Sequence, residues 1–242
     1  MLGAVLLVAC RDPTAGPGWL SGARPPLPVY RAARTTAAIS VDGRLDEPAW
    51  AQAERVEFVD SVTGLPPHYR TEARLLWDES TLHVGFICDD DEAWVRPGRK
   101  HDDPIYEDEV VELFLVPGQG RGYFEIEVSP AGVLFDARFA AVRKDLDRAR
   151  AWSSEARVAT AVDGGITVGY AAPLPARSWT VELALPWTSL GLVPRVGERW
   201  RMNLYRLESH NRRRVVEGSS FSPPLRRDFH ALDRFGWLEL GP

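Results

Sequence analysis

Basic residues do not dominate this sequence. Lys+Arg number 29 against Asp+Glu 34, a net charge of −5, which argues against the basic face that a nucleic-acid binder presents. Cysteine is scarce: Cys10 and Cys88 are the two present, too few for a disulfide scaffold. No run of 18 apolar residues occurs, so no transmembrane helix is expected. Also lacking are a Gly-x-Ser-x-Gly elbow, an HExxH pair, a phosphate loop and a CxxC pair, which removes the commonest catalytic signatures. What the chain does have is an ordinary globular composition, 45% hydrophobic and 26% charged over 242 residues, and an unusual nine tryptophans. Rings in that number belong either to a core or to ligand platforms.

The body reads as short strands with turns between them, without internal repeats or long helical periodicity. Thr71–Trp77 turns at Asp78-Glu79 into Thr81–Cys88. Glu109–Val116 and Tyr123–Val128 flank a Pro/Gly-rich turn, and Pro130-Ala131-Gly132 leads into Val133–Phe139. Ala156–Val162 and Ile166–Tyr170, separated by Asp163-Gly164-Gly165, read as a further hairpin. Trp179, Val181, Leu183 and Leu185 share one face of a half-buried strand, and Trp200–Leu207 and Phe235–Leu240 complete the series. Helical signal is confined to Asp46–Ala51 and a turn near Leu190. About ten strands, nearly all antiparallel, predict an all-β antiparallel β-sandwich of immunoglobulin-like or jelly-roll type with one or two short helices. Cys88 falls in an apolar strand and reads as a small buried hydrophobe.

Met1–Cys10 ends in Leu7-Val8-Ala9-Cys10, which resembles a bacterial lipobox. The resemblance implies a signal peptide over 1–10 with lipid on Cys10, so that the membrane is met only through that lipid. An untidy N-terminal tail is the plainer alternative. Residues 11–37 are rich in Pro, Gly and Ala and read as a tether, with the domain at 38–242. The expected location is a bacterial cell envelope.

Six segments carry a recognisable order. Val41-Asp42-Gly43-Arg44-Leu45-Asp46-Glu47-Pro48-Ala49-Trp50 opens it, followed by Leu76-Trp77-Asp78-Glu79-Ser80-Thr81-Leu82. Glu109-Val110-Val111-Glu112-Leu113-Phe114, Trp179-Thr180-Val181-Glu182-Leu183, Trp200-Arg201-Met202-Asn203-Leu204 and Phe235-Gly236-Trp237-Leu238 come after it. Together they resemble the family 9 carbohydrate-binding modules over residues 38–240. The resemblance implies non-catalytic binding of an oligo- or polysaccharide, often with structural calcium, by a monomeric domain accessory to glycoside hydrolases. In that family two rings sandwich a sugar, whose apolar C–H face packs on aromatic surface while fixed polar groups meet its hydroxyls. Alignment puts Tyr106 and Phe229 at the two platform positions and Glu112 at a sugar-bonding glutamate. A family arginine on the next strand corresponds to about Glu125. Trp94, in a polar stretch, and Asn203 and Arg206 are further candidate sugar contacts.

Residues 89–112 hold ten acids against Arg96, Arg99 and Lys100. Crowded carboxylates repel unless they share a cation, and hard oxygen ligands suit calcium. Asp89, Asp90, Asp91 and Asp108 are the candidate ligands; the alternative is pairing with the arginines of 206–234. Three other functions stay open: an interaction domain on the same fold without a working sugar site, a haem-binding relative using Met202, and a two-carboxylate glycosidase.

Overall fold

In the computed structural model the described residues are 24–118, 122–209 and 217–242, so the lipobox-like segment and Cys10 lie outside them. Fifteen strands form in the described residues. They are β1 (Val29–Arg34), β2 (Val56–Glu57), β3 (Val59–Asp60), β4 (Thr71–Trp77), β5 (Thr81–Asp89), β6 (Ala93–Val95), β7 (Val110–Val116) and β8 (Tyr123–Val128). The series continues with β9 (Leu134–Phe139), β10 (Arg157–Gly164), β11 (Ile166–Val168), β12 (Ala176–Pro186), β13 (Arg199–Glu208), β14 (Glu217–Ser220) and β15 (Gly236–Leu240). One short α-helix, α1 (Leu146–Ala149), is capped by Asp145, whose side chain accepts from the Arg148 amide.

Thirteen strands make one sheet whose main path runs β10-β12-β5-β4-β1-β15-β13-β7-β8-β9. The prediction of an antiparallel sandwich is therefore correct for most pairings but not for the whole. Val29–Ala32 of β1 pair in parallel with β15, and Ala33 and Arg34 pair in parallel with β4, so one strand joins two antiparallel halves into a mixed, barrel-like sheet. The halves enclose a common core, with Trp77, Val84, Phe86 and Trp179 from one and Leu113, Ile126, Met202 and Leu204 from the other. Cys88 lies within it, as expected.

Two sequence boundaries are corrected by this topology. The segment predicted as a tether to residue 37 contains β1, because Tyr30 and Ala32 alternate inward and are fully buried. The predicted hairpin of 156–170 does not form. A bulge at Asp163/Gly164 breaks the register; β10 pairs with β12, and β11 runs in parallel beside β6 instead.

The opening segment and the Trp179–Leu185 strand meet at one carboxylate. Glu182 accepts from the Trp50 indole at 3.0 Å and from the Asp42 and Gly43 amides at 2.9 Å each. Gly43 has φ +88°, and a Cβ there would stand 2.6 Å from the Thr160 carbonyl carbon, so only glycine fits this corner. Trp77, Trp179, Trp187 and Trp200 are buried in the core as well, whereas Trp237 is half-buried under Arg199 and Arg201.

Period-2 alternation gives β13, β7 and β8 a second buried face. Val111, Leu113, Leu115, Met202 and Leu204 point into the common core, whereas Phe114, Tyr123, Tyr205 and Phe135 of β9 build a separate aromatic cluster on the opposite side. The candidate site sits on that second side.

Candidate functional site

A cavity of about 790 Å³ opens over the second face of β7, β8 and β9. Tyr106, Phe135, Phe139, Leu207 and Phe229 supply its apolar walls, and Glu112 and Glu125 its polar floor. Both ring positions expected from the sequence therefore face one cavity. Tyr106 lies in a single 3-10 turn, Ile105–Glu107, just before β7. Its ring stands edge-on to Phe135 at 6.0 Å and is 37% exposed, a wide aromatic surface left free for a ligand. Phe229 is held more firmly. It stacks on Tyr205 with centroids 4.0 Å apart and planes at 10°, and the Tyr205 hydroxyl donates to the Phe229 carbonyl at 2.9 Å. Gly218 on β14 makes room for the ring: a Cβ there would lie 2.9 Å from Phe229 Cζ.

The floor is electrostatically unusual. Glu112 stands opposite Glu127, and Phe114 opposite Glu125, in the β7–β8 register, so three carboxylates crowd adjacent positions on one face. They are 2%, 5% and 0% exposed for Glu112, Glu125 and Glu127. Burial, and then the neighbouring carboxylates, push Glu112 and Glu127 well above the usual carboxylate range. Burial also pushes Glu125 up, to about 7. Glu125 Oε2 and both Glu127 oxygens are buried without a hydrogen-bond partner among the described residues. His230 Nδ1 is 3.9 Å from Glu125 Oε2 but is engaged at 2.6 Å by the Tyr123 hydroxyl. Burial, then Arg143, lowers the imidazole to about 4, so it stays neutral near pH 7. At the rim Arg143 is paired with Asp228 at 2.8 Å.

The other predicted sugar contacts lie elsewhere. Trp94 is 5% exposed on β6, and its indole donates to the Gly169 carbonyl at 2.9 Å, which makes it an anchor for the turn after β11. Asn203 is fully buried and spends both ends of its amide on Ser222, donating to its carbonyl at 2.8 Å and accepting from its N–H at 2.9 Å. Arg206 lies one residue from Tyr205 along β13 and so faces the opposite side of the sheet.

Arg206 also explains much of the acidic stretch. Its guanidinium reaches Asp90 at 3.1 Å, Glu109 at 2.9 Å, the Asp89 carbonyl at 2.7 Å and, more closely still, Glu208. Burial opposes its charge, yet the surrounding anions hold it firmly protonated. Asp108 is taken by Arg99 at 3.0 Å and Arg96 at 3.1 Å, while Asp91 accepts from the Tyr69 hydroxyl at 3.0 Å. Of the four acids picked as calcium ligands, Asp90, Asp91 and Asp108 thus have separate partners and Asp89 meets Arg206 through its carbonyl, so the set does not fit one ion. Two groups among the described residues have ligand atoms within 4.8 Å of one another: Asp90, Glu109 and Glu208, which Arg206 holds, and His101, Asp102 and Asp136. Asp102 Oδ1 and Asp136 Oδ1 are buried there, with His101 Nε2 at 3.4 and 3.5 Å.

Sequence reasoning did not single out Glu127, Phe135, Tyr205 or His230. The alternation Tyr123, Glu125, Glu127 was a usable signal, since it places two acids on the same face as a ring.

The profile of the carbohydrate family 9 binding domain-like family matches residues 41–241. No curated protein matches the sequence. Among solved structures, a candidate carbohydrate-binding protein from Bacteroides uniformis shares the fold with a TM-score of 0.69 at 16% identity, over 89% of this chain and 100% of that one. A family 9 module from Caldicellulosiruptor kristjanssonii in complex with cellotriose gives a TM-score of 0.59 at 15% identity, covering 88% and 94%. The same organism's module in complex with glucose gives 0.57 at 16% identity, covering 88% and 96%. With the matched segment spanning nearly all of the described sheet, the chain belongs to the carbohydrate family 9 binding domain-like family.

Proposed function

We propose that this domain binds a saccharide without catalysing its cleavage, holding one sugar ring between Tyr106 and Phe229 above Glu112 and Glu125. The observation that carries this reading is the opening of all four side chains onto one cavity. Its size lies within the range of small-ligand sites, and its make-up of apolar walls with a few convergent polar groups suits a pyranose. Family membership and the fold shared with modules in complex with glucose and cellotriose support the same reading. The biological role that follows is accessory: a monomeric domain, lipid-anchored through Cys10 at the cell envelope, keeps polysaccharide near separate glycoside hydrolases. A structural calcium remains part of the proposal, with the Asp102 and Asp136 carboxylates as its best-placed oxygen ligands; the His101 imidazole beside them is not a calcium ligand.

Isothermal titration of the full chain against glucose, cellotriose and a wider glycan panel tests the reading. Saturable binding that Tyr106→Ala weakens at least tenfold supports it. Absence of binding across the panel favours the interaction-domain alternative.

A further inference from the structure

Several buried carboxylates elsewhere in the described residues are held by basic groups or amides. Glu72 meets Arg74 at 2.6 Å and Arg70 at 3.0 Å; Asp108 meets two arginines; Glu182 receives an indole and two amides. The floor of the aromatic cavity departs from this. Among the described residues, no arginine or lysine forms an ion pair with Glu112, Glu125 or Glu127. Glu125 both lines the cavity and keeps an oxygen without a donor, though it is only 5% exposed. The nearby imidazole is turned to Tyr123, and Arg143 is turned to Asp228. Carboxyl groups crowded where a ligand enters, with no arginine or lysine ion-paired to them, ionise most readily against a cation carried by the ligand.

We propose that the ligand is an amino sugar, a saccharide carrying a free ammonium group that Glu125 and Glu112 receive, with Glu127 buried behind them, while Tyr106 and Phe229 hold its ring. This deepens the saccharide-binding reading and rests on it. The aromatic walls bind any pyranose face, so they give affinity without distinguishing one sugar from another. Selection comes from the floor, where an ammonium offers three donors and a positive charge to oxygens that otherwise repel one another. A neutral hydroxyl at the same position offers one donor and no charge. N-Acetylation removes the cation and adds bulk at the same nitrogen, so the acetylated sugar loses the floor contact.

The test is isothermal titration of the full chain at pH 7 with glucosamine, glucose and N-acetylglucosamine, chelator present so that no metal ion bridges the carboxylates. The expected result is glucosamine binding at least tenfold tighter than glucose and N-acetylglucosamine weakest. Glu125→Gln, which keeps shape and polarity, should bring glucosamine to within about twofold of glucose. Equal affinities for glucose and glucosamine in the wild-type protein would overturn the amino-sugar assignment and leave saccharide binding intact. Binding of none of the three, nor of cellotriose, would overturn the saccharide reading itself. A glucosamine preference that survives in folded Glu125→Gln and Glu127→Gln would place the ammonium away from this floor and overturn the assignment. Because the three ligands differ only at one carbon, the wild-type comparison decides the matter even where a variant fails to fold.

Discussion

Glu112 on β7 and Glu127 on β8 are direct cross-strand partners, two acids facing each other inside the protein. Like charges in that relationship destabilise a sheet, and burial adds to the cost of ionising them. With Glu125 beside them, they place a costly cluster of carboxyls under the aromatic cavity, at the proposed binding site.

The first prediction concerns pH. Glu125 rises from an ordinary 4.5 to about 7 on folding, so between those values the folded protein holds more protons than the unfolded chain. Its contribution to stability therefore falls as pH rises through that window. Glu208, also pushed to about 7, acts in the same direction, while His230, lowered to about 4, acts oppositely up to its ordinary 6.5. Comparison with Glu125→Gln isolates the effect. Urea unfolding should show the variant gaining on the wild type by on the order of 1–3 kcal/mol between pH 5 and pH 8. A gap that shrinks over the same range would contradict the assignment.

Tyr106 should matter for binding far more than for folding. Its main ring contact is the edge of Phe135, and over a third of it is exposed. Tyr106→Ala is expected to cost about 1 kcal/mol or less in stability. Titration with cellotriose should meanwhile show at least tenfold weaker binding.

Arg206 presents the reverse case. Removing it leaves Asp90, Glu109 and Glu208 buried without their cation. Arg206→Met should destabilise the domain by about 3–5 kcal/mol in denaturant unfolding. Arg177→Ala, which breaks the exposed pair with Asp163, should leave the midpoint unchanged.

Gly218→Ala probes the second wall. The added methyl would meet the Phe229 ring at 2.9 Å and drive it off Tyr205 or into the cavity. Saccharide affinity should drop several-fold while the β13–β14 pairing persists, as amide hydrogen exchange would show.

Local alternation made most of the fold legible. Strands such as Thr71–Trp77 and Tyr123–Val128 form with the bounds that their patterns suggested. β1 was obscured because its neighbours are prolines and its partners, β4 and β15, lie far away in sequence. A parallel pairing of that kind leaves no turn signal. Family resemblance picked out Tyr106, Phe229 and Glu112, which the fold brings to one cavity. Trp94, Asn203 and Arg206 misled because exposure cannot be read from polarity: Asn203 and Arg206 are buried polar side chains whose amide and terminal guanidinium nitrogens bond internally. The unpaired character of Glu125 and Glu127 depends on which bases the fold brings near, and no window of sequence carries that information.

The central claim is that one sugar ring sits between Tyr106 and Phe229. A crystal structure of the chain soaked with cellotriose and, separately, with glucosamine tests it most directly. The account expects a pyranose whose faces contact both rings and, for glucosamine, a nitrogen within hydrogen-bond distance of Glu125. A sugar bound elsewhere, for instance over the half-buried Trp237, with the cavity holding only water, would contradict it.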